Sequence, residues 1–209
     1  MRYSLIKKFL KPIFIGKYKE INGLENLPEK GPYLIVANHI DYLDGPFLSL
    51  AFEIKKNLDI YFLSKTKNYW WSSATLPIDP EDRTKSVAQA VAYLKEGKII
   101  CNFIEGRRNP GKYLLEGKTG AVRSALMAQV PVVPVGLICE FHPTYLRSVL
   151  SLLAGRHKAI LNIGPPLIFE KYYHQEINKT LLEKLTRRIM EQLGPLSRKT
   201  PPFQSPDNL

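Results

Sequence analysis

A histidine and an aspartate lie five residues apart where an apolar stretch ends. His39 and Asp44 belong to the segment ANHIDYLDG (37–45), which follows the apolar run YLIV. An imidazole acts as a general base near neutral pH when a carboxylate fixes its tautomer and stabilises its cation. Residues five apart on a regular helix point about 140° away from each other, so this pair requires a loop or an irregular helix start. Gly45 and Pro46 are suited to such a start, and Asp41 is a competing partner for the imidazole.

A second polar cluster follows another apolar stretch. The segment EGRR (105–108) comes directly after KIICNFI (98–104), just as His39 follows YLIV. If the two stretches are parallel strands, both clusters lie at the carboxyl edge of one sheet, where open α/β sheets bind their ligands. The sequence therefore predicts one cleft that contains both clusters.

The nucleophile predicted for this cleft is a hydroxyl of the substrate. A His–Asp pair usually activates a nucleophile. The sequence has no Gly-x-Ser-x-Gly motif, and neither of its two cysteines has neighbours that would lower the thiol pKa. Phosphate on such a substrate could be bound by basic residues. The candidates are Lys65, Arg83, Arg107, Arg108 and Lys118.

Strand-like and helix-like segments alternate along the chain, which predicts a single α/β domain with a largely parallel, mixed sheet flanked by helices. The predicted helices include GPFLSLAFEIKK, one that starts at Thr84 and stops at Gly97, GKTGAVRSALMAQ, and one that runs from a Thr180–Glu183 capping box to Gly194-Pro195. Two prolines in segment 131–138 predict an irregular or edge strand there. The predicted strands are 33–37, 60–64, 98–104, 131–138 and 158–164.

The first residues of the chain predict a basic amphipathic helix over 4–15. Such a helix either covers part of the core or lies in a membrane interface, and the excess of lysines favours the interface. We expect residues 1–20 to associate with membrane, 21–195 to form the main domain and 196–209 to be a flexible tail. The apolar positions are Leu5, Ile6, Phe9, Leu10, Ile13 and Phe14.

The composition is that of a globular protein with a strong positive charge. The chain has 209 residues, 44% of them hydrophobic, and a net charge of +11. This charge attracts nucleic acid, anionic membranes or phosphorylated substrates. No nucleic-acid-binding motif is present, so we expect no nucleic-acid partner. No apolar run approaches the roughly 20 residues of a membrane span, and no cysteine spacing suggests a metal site.

Four blocks together resemble the glycerolipid acyltransferase family, typified by bacterial 1-acylglycerol-3-phosphate acyltransferases. NHIDYLD matches the N-H-x(4)-D motif, FIEGRR resembles F-P-E-G-T-R-S, and VPVVPVGL resembles the Val-Pro-rich fourth motif. FLSK, LPID, LLEGKTG and IGPPL also match family positions in order, over roughly residues 20–170. In this family the second motif ends Ile-Asp-Arg, whereas this chain has Pro80, so Arg83 is the candidate replacement for that arginine.

The resemblance implies transfer of a fatty acyl group from a thioester, on coenzyme A or acyl carrier protein, to a lysophospholipid hydroxyl. His39 would be the base and Asp44 its orienter, while Glu105 and Gly106 would build the site, where backbone N–H groups would stabilise the oxyanion. Lys65 and Arg108 match basic positions that the family uses toward the acceptor phosphate, and Lys118 matches a further lysine of the family.

The implied location is the cytoplasmic face of a membrane that contains anionic phospholipid. No cofactor is implied, and the acyl thioester takes part as a co-substrate. The alternatives are another acceptor, such as glycerol 3-phosphate, another lysolipid or an amino-lipid, and a non-catalytic basic membrane-binding module.

Overall fold

A seven-stranded mixed sheet organises the chain in the computed structural model, which describes residues 11–64, 75–77 and 82–204. The strand order is β1-β7-β6-β2-β5-β3-β4, and β6–β7 is the antiparallel pair in this otherwise parallel sheet. The predicted α/β class with a largely parallel sheet is therefore confirmed. The strands are β1 (Tyr18–Asn22), β2 (Tyr33–Ala37), β3 (Ile60–Ser64), β4 (Thr75–Pro77), β5 (Ile99–Phe103), β6 (Val132–Cys139) and β7 (Ala159–Ile163).

Helices cover both faces of the sheet, so the central strand β2 is buried on both sides. Tyr33 and Ile35 of β2 belong to one apolar cluster, and Leu34 and Val36 belong to the other. This division follows from the two-residue period of a strand. The helices are α1 (Asp44–Lys56), α2 (Arg83–Lys95), α3 (Gly120–Ala128), α4 (Tyr145–Leu153) and α5 (Lys179–Ser197).

Two helix ends differ from the prediction. The side chain of Asp82, rather than Thr84, caps α2 by accepting from the Thr84 and Lys85 amides at 3.0 and 3.2 Å. Asn178, rather than Thr180, caps α5. Carboxylate and amide side chains are strong caps, so in each helix the residue two positions earlier takes this role.

The predicted end of α5 is also wrong, because the helix continues through Gly194 and Pro195 to Ser197. Residues 196–204, predicted to begin a flexible tail, make backbone contacts with the domain. Thr200 donates to Lys112 O at 3.0 Å and accepts from Leu114 N at 2.8 Å. Residues 205–209 lie outside the described part of the chain.

Strand β6 is central, which corrects the edge position predicted from its prolines. Pro134 lies at the end of the β6–β7 ladder, where its carbonyl accepts from the Gly164 amide at 2.9 Å. A missing N–H group costs least at the end of a ladder, so a strand that lies between two neighbouring strands can contain this proline. Strands β1 and β4 and helix α4 had no counterpart in the sequence prediction.

The predicted N-terminal helix is described only for residues 11–15, which are helical. Phe14 is 2% exposed and packs edge-to-face on Phe47, with ring centroids 4.9 Å apart. Phe14 therefore belongs to the domain core, contrary to its predicted place in the membrane interface. Ile13 also packs against the core, whereas Ile15 is exposed.

None of the helices seen in the described residues combines the length and apolarity needed to cross a membrane.

Candidate active site

Two neighbouring strands end side by side at the site, as the sequence predicts. Ala37, the last residue of β2, is in register with Phe103, the last residue of β5. Asn38 follows β2 and exchanges two hydrogen bonds with the backbone of Leu137, at 2.9 and 2.7 Å. The amide side chain thereby continues the β2–β6 ladder by one step and fixes the exit of the chain toward His39.

His39 and Asp44 form the predicted pair. His39 Nδ1 lies 2.7 Å from Asp44 Oδ2, and the same oxygen accepts from the amides of Ile40 and Asp41 at 2.6 and 2.9 Å. Asp44 is the first residue of α1, where the helix dipole also stabilises a carboxylate. Nδ1–H donates to the carboxylate, and in this tautomer the Nε2 lone pair is available as a base.

The His39 imidazole is contacted on the face of its ring as well as at Nδ1. The His39 ring stacks on Phe103 with centroids 4.2 Å apart and an interplanar angle of 15°. Its side chain is 22% exposed, whereas Asp44 is fully buried. A base with a fixed orientation, a buried partner and an accessible edge is suited to proton transfer from a bound hydroxyl.

Asp41, the competing partner, faces away from His39. It accepts from the Leu43 amide, the His142 amide and the Ser148 hydroxyl at 3.1, 2.9 and 3.0 Å. These bonds connect the turn between β2 and α1 to the segment that leads into α4. The donor atoms of Asp41, His142 and His157 lie within 4.8 Å of one another, which is close enough for a metal ion. The hydrogen bonds account for the position of Asp41 without one.

His157 is a fully buried imidazole behind this turn. It stacks on Phe47, its Nδ1 is 3.2 Å from His142 Nδ1, and its Nε2 is 3.9 Å from Asp41 Oδ1. Burial lowers the pKa of His157, while the Asp41 charge acts in the opposite direction.

This pKa predicts acid sensitivity of the fold. The unfolded chain binds a proton at His157 near its ordinary pKa of about 6.5, before the folded chain does. The free energy of unfolding should therefore fall as the pH decreases below about 6.5. In His157→Gln this decrease should be smaller, as measured by urea unfolding at pH 7.5 and 5.5. The exposed His174, changed to Gln, provides the control. Equal pH dependence in wild type and His157→Gln would contradict the prediction.

Glu105 is buried and supports the turn that contains His39 through its two carboxylate oxygens. Oε1 accepts from the His39 amide at 3.2 Å, and Oε2 accepts from Asn109 Nδ2 and the Leu115 amide at 2.5 and 2.8 Å. The Asn109 amide donates to His39 O at 2.7 Å. The loop after β5 therefore holds the backbone of His39 from both sides.

Gly106 does not offer its amide to an oxyanion, because that amide donates to Phe103 O at 3.0 Å. Its φ of +71° is a left-handed conformation that glycine adopts without strain. The Lys118 side chain passes beside Gly106, with Cγ 3.5 Å from where a Cβ would lie. In the described part of the chain, the amides of Arg107 and Arg108 have no backbone acceptor, so they are the better candidates for an oxyanion.

Among the predicted phosphate-binding residues, Arg108 has a defined position at the site. Its guanidinium lies 3.4 Å from the ring centroid of Tyr42, and its buried Nη1 has no hydrogen-bond partner among the residues that the structure describes. Arg107 is exposed. Arg83 is the first residue of α2, and Lys65 lies outside the described residues.

Neither cysteine is suited to act as a nucleophile. Cys101 is buried, and burial raises the pKa of its thiol. Cys139 lies 3.5 Å from Asp44 Oδ1, and burial followed by the charges of Asp44 and Asp41 raises the pKa of its thiol well above its ordinary value. Both thiols are protonated near neutral pH, which agrees with the prediction of a substrate hydroxyl as nucleophile.

Several residues of the site were missed from the sequence. Asn38 and Asn109 fix the backbone on either side of His39. Lys199, predicted in the tail, donates to Asn109 O. Burial lowers the pKa of Lys199, while the charges of Glu105 and Asp44 raise it. Asn38 and Asn109 stand beside predicted site residues, but nothing local marked Lys199.

The fold and the site together define an α/β protein with a His–Asp pair at the carboxyl edge of its sheet. The chain belongs to the acyltransferase family, whose model matches residues 19–138. It is 32% identical over 127 residues to the 1-acyl-sn-glycerol-3-phosphate acyltransferase of Escherichia coli, covering 59% of this chain and 49% of that protein. It is 29% identical over 153 residues to an uncharacterized protein of Mycobacterium tuberculosis, covering 65% of this chain and 41% of that protein.

A solved structure has the same fold. It is the 1-acyl-sn-glycerophosphate acyltransferase PlsC from Thermotoga maritima, with a TM-score of 0.58 and 23% identity over 91% of this chain and 79% of that chain. The chain spans about half the length of the E. coli relative and less than half of the mycobacterial one.

Proposed function

We propose that the protein is an O-acyltransferase that moves a fatty acyl group from an acyl thioester to a hydroxyl of a lysophospholipid in phospholipid synthesis. The observation that supports this most is the 2.7 Å contact between His39 Nδ1 and the buried Asp44 carboxylate at the sheet edge. The proposed acyl donor is acyl-coenzyme A or acylated acyl carrier protein, and the proposed acceptor is 1-acylglycerol 3-phosphate. Relatives with that acceptor in their names support this choice.

The proposed reaction uses the chain's own groups for every proton movement. His39 Nε2 takes the proton of the acceptor hydroxyl as its oxygen attacks the thioester carbonyl. Asp44 stabilises the resulting imidazolium, and the Arg107 and Arg108 amides stabilise the oxyanion. Collapse of the tetrahedral intermediate breaks the C–S bond, and His39 returns the proton to the leaving thiolate. The products are an ester and a free thiol.

Incubation with acyl-coenzyme A or with acylated acyl carrier protein, together with a panel of acceptors, tests this function. The panel contains 1-acylglycerol 3-phosphate, glycerol 3-phosphate, a zwitterionic lysophospholipid and an amino-lipid, with free thiol and product mass as readouts. Thiol release that depends on 1-acylglycerol 3-phosphate is expected. Release with another acceptor alone would favour the alternative suggested by Pro80, and no release with any would contradict an acyltransferase.

The environment of Arg108 supports a phosphorylated acceptor. A guanidinium held over the Tyr42 ring, with a buried Nη1 that has no partner among the described residues, can donate to phosphate oxygens. Arg108→Gln should raise the KM for the acceptor by about 10- to 100-fold, the equivalent of a charge-assisted hydrogen bond of roughly 1.5–3 kcal/mol. The KM for the acyl donor should change little.

Steady-state kinetics with each substrate varied in turn checks this expectation. Arg123→Gln, an exposed arginine on α3, is the matched control and should leave both KM values unchanged. Arg108→Lys should recover only part of the affinity, because lysine keeps the charge and loses the planar stacking on Tyr42. An acceptor KM that is unaffected in Arg108→Gln would remove Arg108 from the acceptor site.

We also propose that the protein is monotopic on the cytoplasmic face of an anionic membrane. The net charge of +11 and the lysines of the first eleven residues support this location. Because Phe14 is part of the core, residues 1–10 are the part of the N-terminus proposed to enter the interface.

A further inference from the structure

Helix α4 has an apolar face that points away from the protein. Leu146, Leu150 and Leu153 are 65%, 55% and 62% exposed. Their i, i+4, i+7 spacing places them in one stripe along the helix. Ser148 and Leu152, on the opposite side, are buried. The helix therefore packs on the domain through one face and exposes the leucine stripe on the other.

The chain segment that contains this stripe is basic, and the acidic side chain that contacts the helix, Asp41, is buried on its inner side. From residue 141 to residue 169 the sequence has no Asp or Glu, whereas Arg147, Arg156 and Lys158 lie within it. The Lys17 amine reaches the end of α4, where it is 3.4 Å from the position of a Cβ on Gly155. Apolar side chains flanked by basic ones match an anionic lipid surface, in which leucines enter the interface and cations meet headgroups.

The helix is attached to the turn that bears the base. Ser148 Oγ donates to Asp41 Oδ2 at 3.0 Å, and the Tyr145 ring packs edge-on against Tyr42, with centroids 6.0 Å apart. Tyr42 is also the ring on which Arg108 stacks. A surface that contacts lipid at α4 would therefore lie beside the proposed phosphate site.

We propose that the outward face of α4, formed by Leu146, Leu150 and Leu153, is a lipid-contact surface that places the site on an anionic bilayer. It acts in addition to residues 1–10. The contact itself requires no turnover, although its use for presenting a lipid acceptor rests on the proposed function.

Vesicle binding of the full-length chain tests this surface. Wild type and the triple variant Leu146→Gln, Leu150→Gln, Leu153→Gln are floated with vesicles of phosphatidylcholine alone or mixed with phosphatidylglycerol. Glutamine keeps the helix propensity while removing the apolar surface. We expect the triple variant to bind mixed vesicles about tenfold or more weakly than wild type. Wild type should bind phosphatidylcholine vesicles less well than mixed ones.

The matched control changes two exposed apolar residues on the other face of the sheet, where their neighbours Leu126 and Leu167 belong to the apolar cluster that does not include Leu152 of α4. Met127 and Ile168 are 45% and 57% exposed, and Met127→Gln, Ile168→Gln should bind vesicles as wild type does. Deletion of residues 1–10, alone and with the triple variant, separates the two contacts, and the combined variant should bind most weakly. Circular dichroism melting verifies that each variant is folded.

Three results would overturn the proposal. In the first, the folded triple variant binds mixed vesicles as tightly as wild type does. Wild type could sediment as a dimer that the triple variant dissociates without any loss of vesicle binding, which would make a second copy the occupant. The triple variant could lose binding only when residues 1–10 are present, which would make that segment the occupant. Because binding is measured without substrates, absence of thiol release in the acceptor panel would contradict the function and leave this surface standing.

Discussion

His39→Ala should lower acyl transfer by about 10²- to 10⁴-fold, the range that removal of a positioned general base produces. The fold should be retained, because Asp44 still accepts from the Ile40 and Asp41 amides after the imidazole is lost. The rate is followed as free thiol released from the acyl donor with saturating acceptor. The KM for the acceptor should change much less than kcat, since the base acts on the transition state.

Asp44→Asn should be impaired to a similar or greater degree, by about 10⁴-fold as in other sites where an amide replaces the carboxylate. Asp44 Oδ2 accepts from two amides and His39 Nδ1. An asparagine oxygen that accepts from the two amides cannot also secure the Nδ1–H tautomer or balance the imidazolium charge. The Nε2 position then tends to bear the proton, and the base is lost.

The exposed His174 provides the control for both variants, since His174→Ala should keep full activity. Thermal unfolding midpoints of His39→Ala and His174→Ala should both remain within a few degrees of wild type. Near-normal turnover of folded His39→Ala would end the mechanism proposed here. Normal turnover of Asp44→Asn with impaired His39→Ala would assign the orientation of the imidazole to another group.

The part of the site that the sequence predicts depends on residues close together in the chain and on one rule of topology. His39 and Asp44 are five residues apart, and the irregular helix start that their pairing requires is present at Asp44. The approach of His39 and Glu105 follows from parallel pairing of two apolar strands that end in register. The two-residue period of strands and the location of ligand sites at the carboxyl edge of parallel sheets are general properties, so they can be applied before any coordinates exist.

The part that the sequence does not predict depends on contacts between distant segments. The sequence left Asp41 open as a partner of His39, and the choice is made by His142 and Ser148, 101 and 107 residues away. The central place of β6 also depends on its neighbours, because a proline at the end of a ladder costs little. Phe14 has the same helical spacing whether it faces lipid or core, and only its packing on Phe47 decides between them.

Glu105→Gln should lower kcat by about 10²-fold, although Glu105 is a positioning residue in this structure. Its two oxygens accept from three N–H groups, those of His39, Asn109 and Leu115. In glutamine one of the two oxygens becomes an NH₂ group that faces a donor. The mismatch should cost about 1–3 kcal/mol of stability and displace the backbone of His39.

The pH profile separates positioning by Glu105 from proton transfer by it. If Glu105 only positions His39, kcat/KM of Glu105→Gln should keep the acidic limb that reports protonation of the base, at lower amplitude. Asn109→Ala should show the same shape, because Asn109 does not titrate and donates to the same carboxylate. The double variant should be less impaired than the sum of the two single effects, since both act on one hydrogen-bond network. Loss of the acidic limb in Glu105→Gln, with the limb intact in Asn109→Ala, would instead make Glu105 a group that exchanges protons with the substrate.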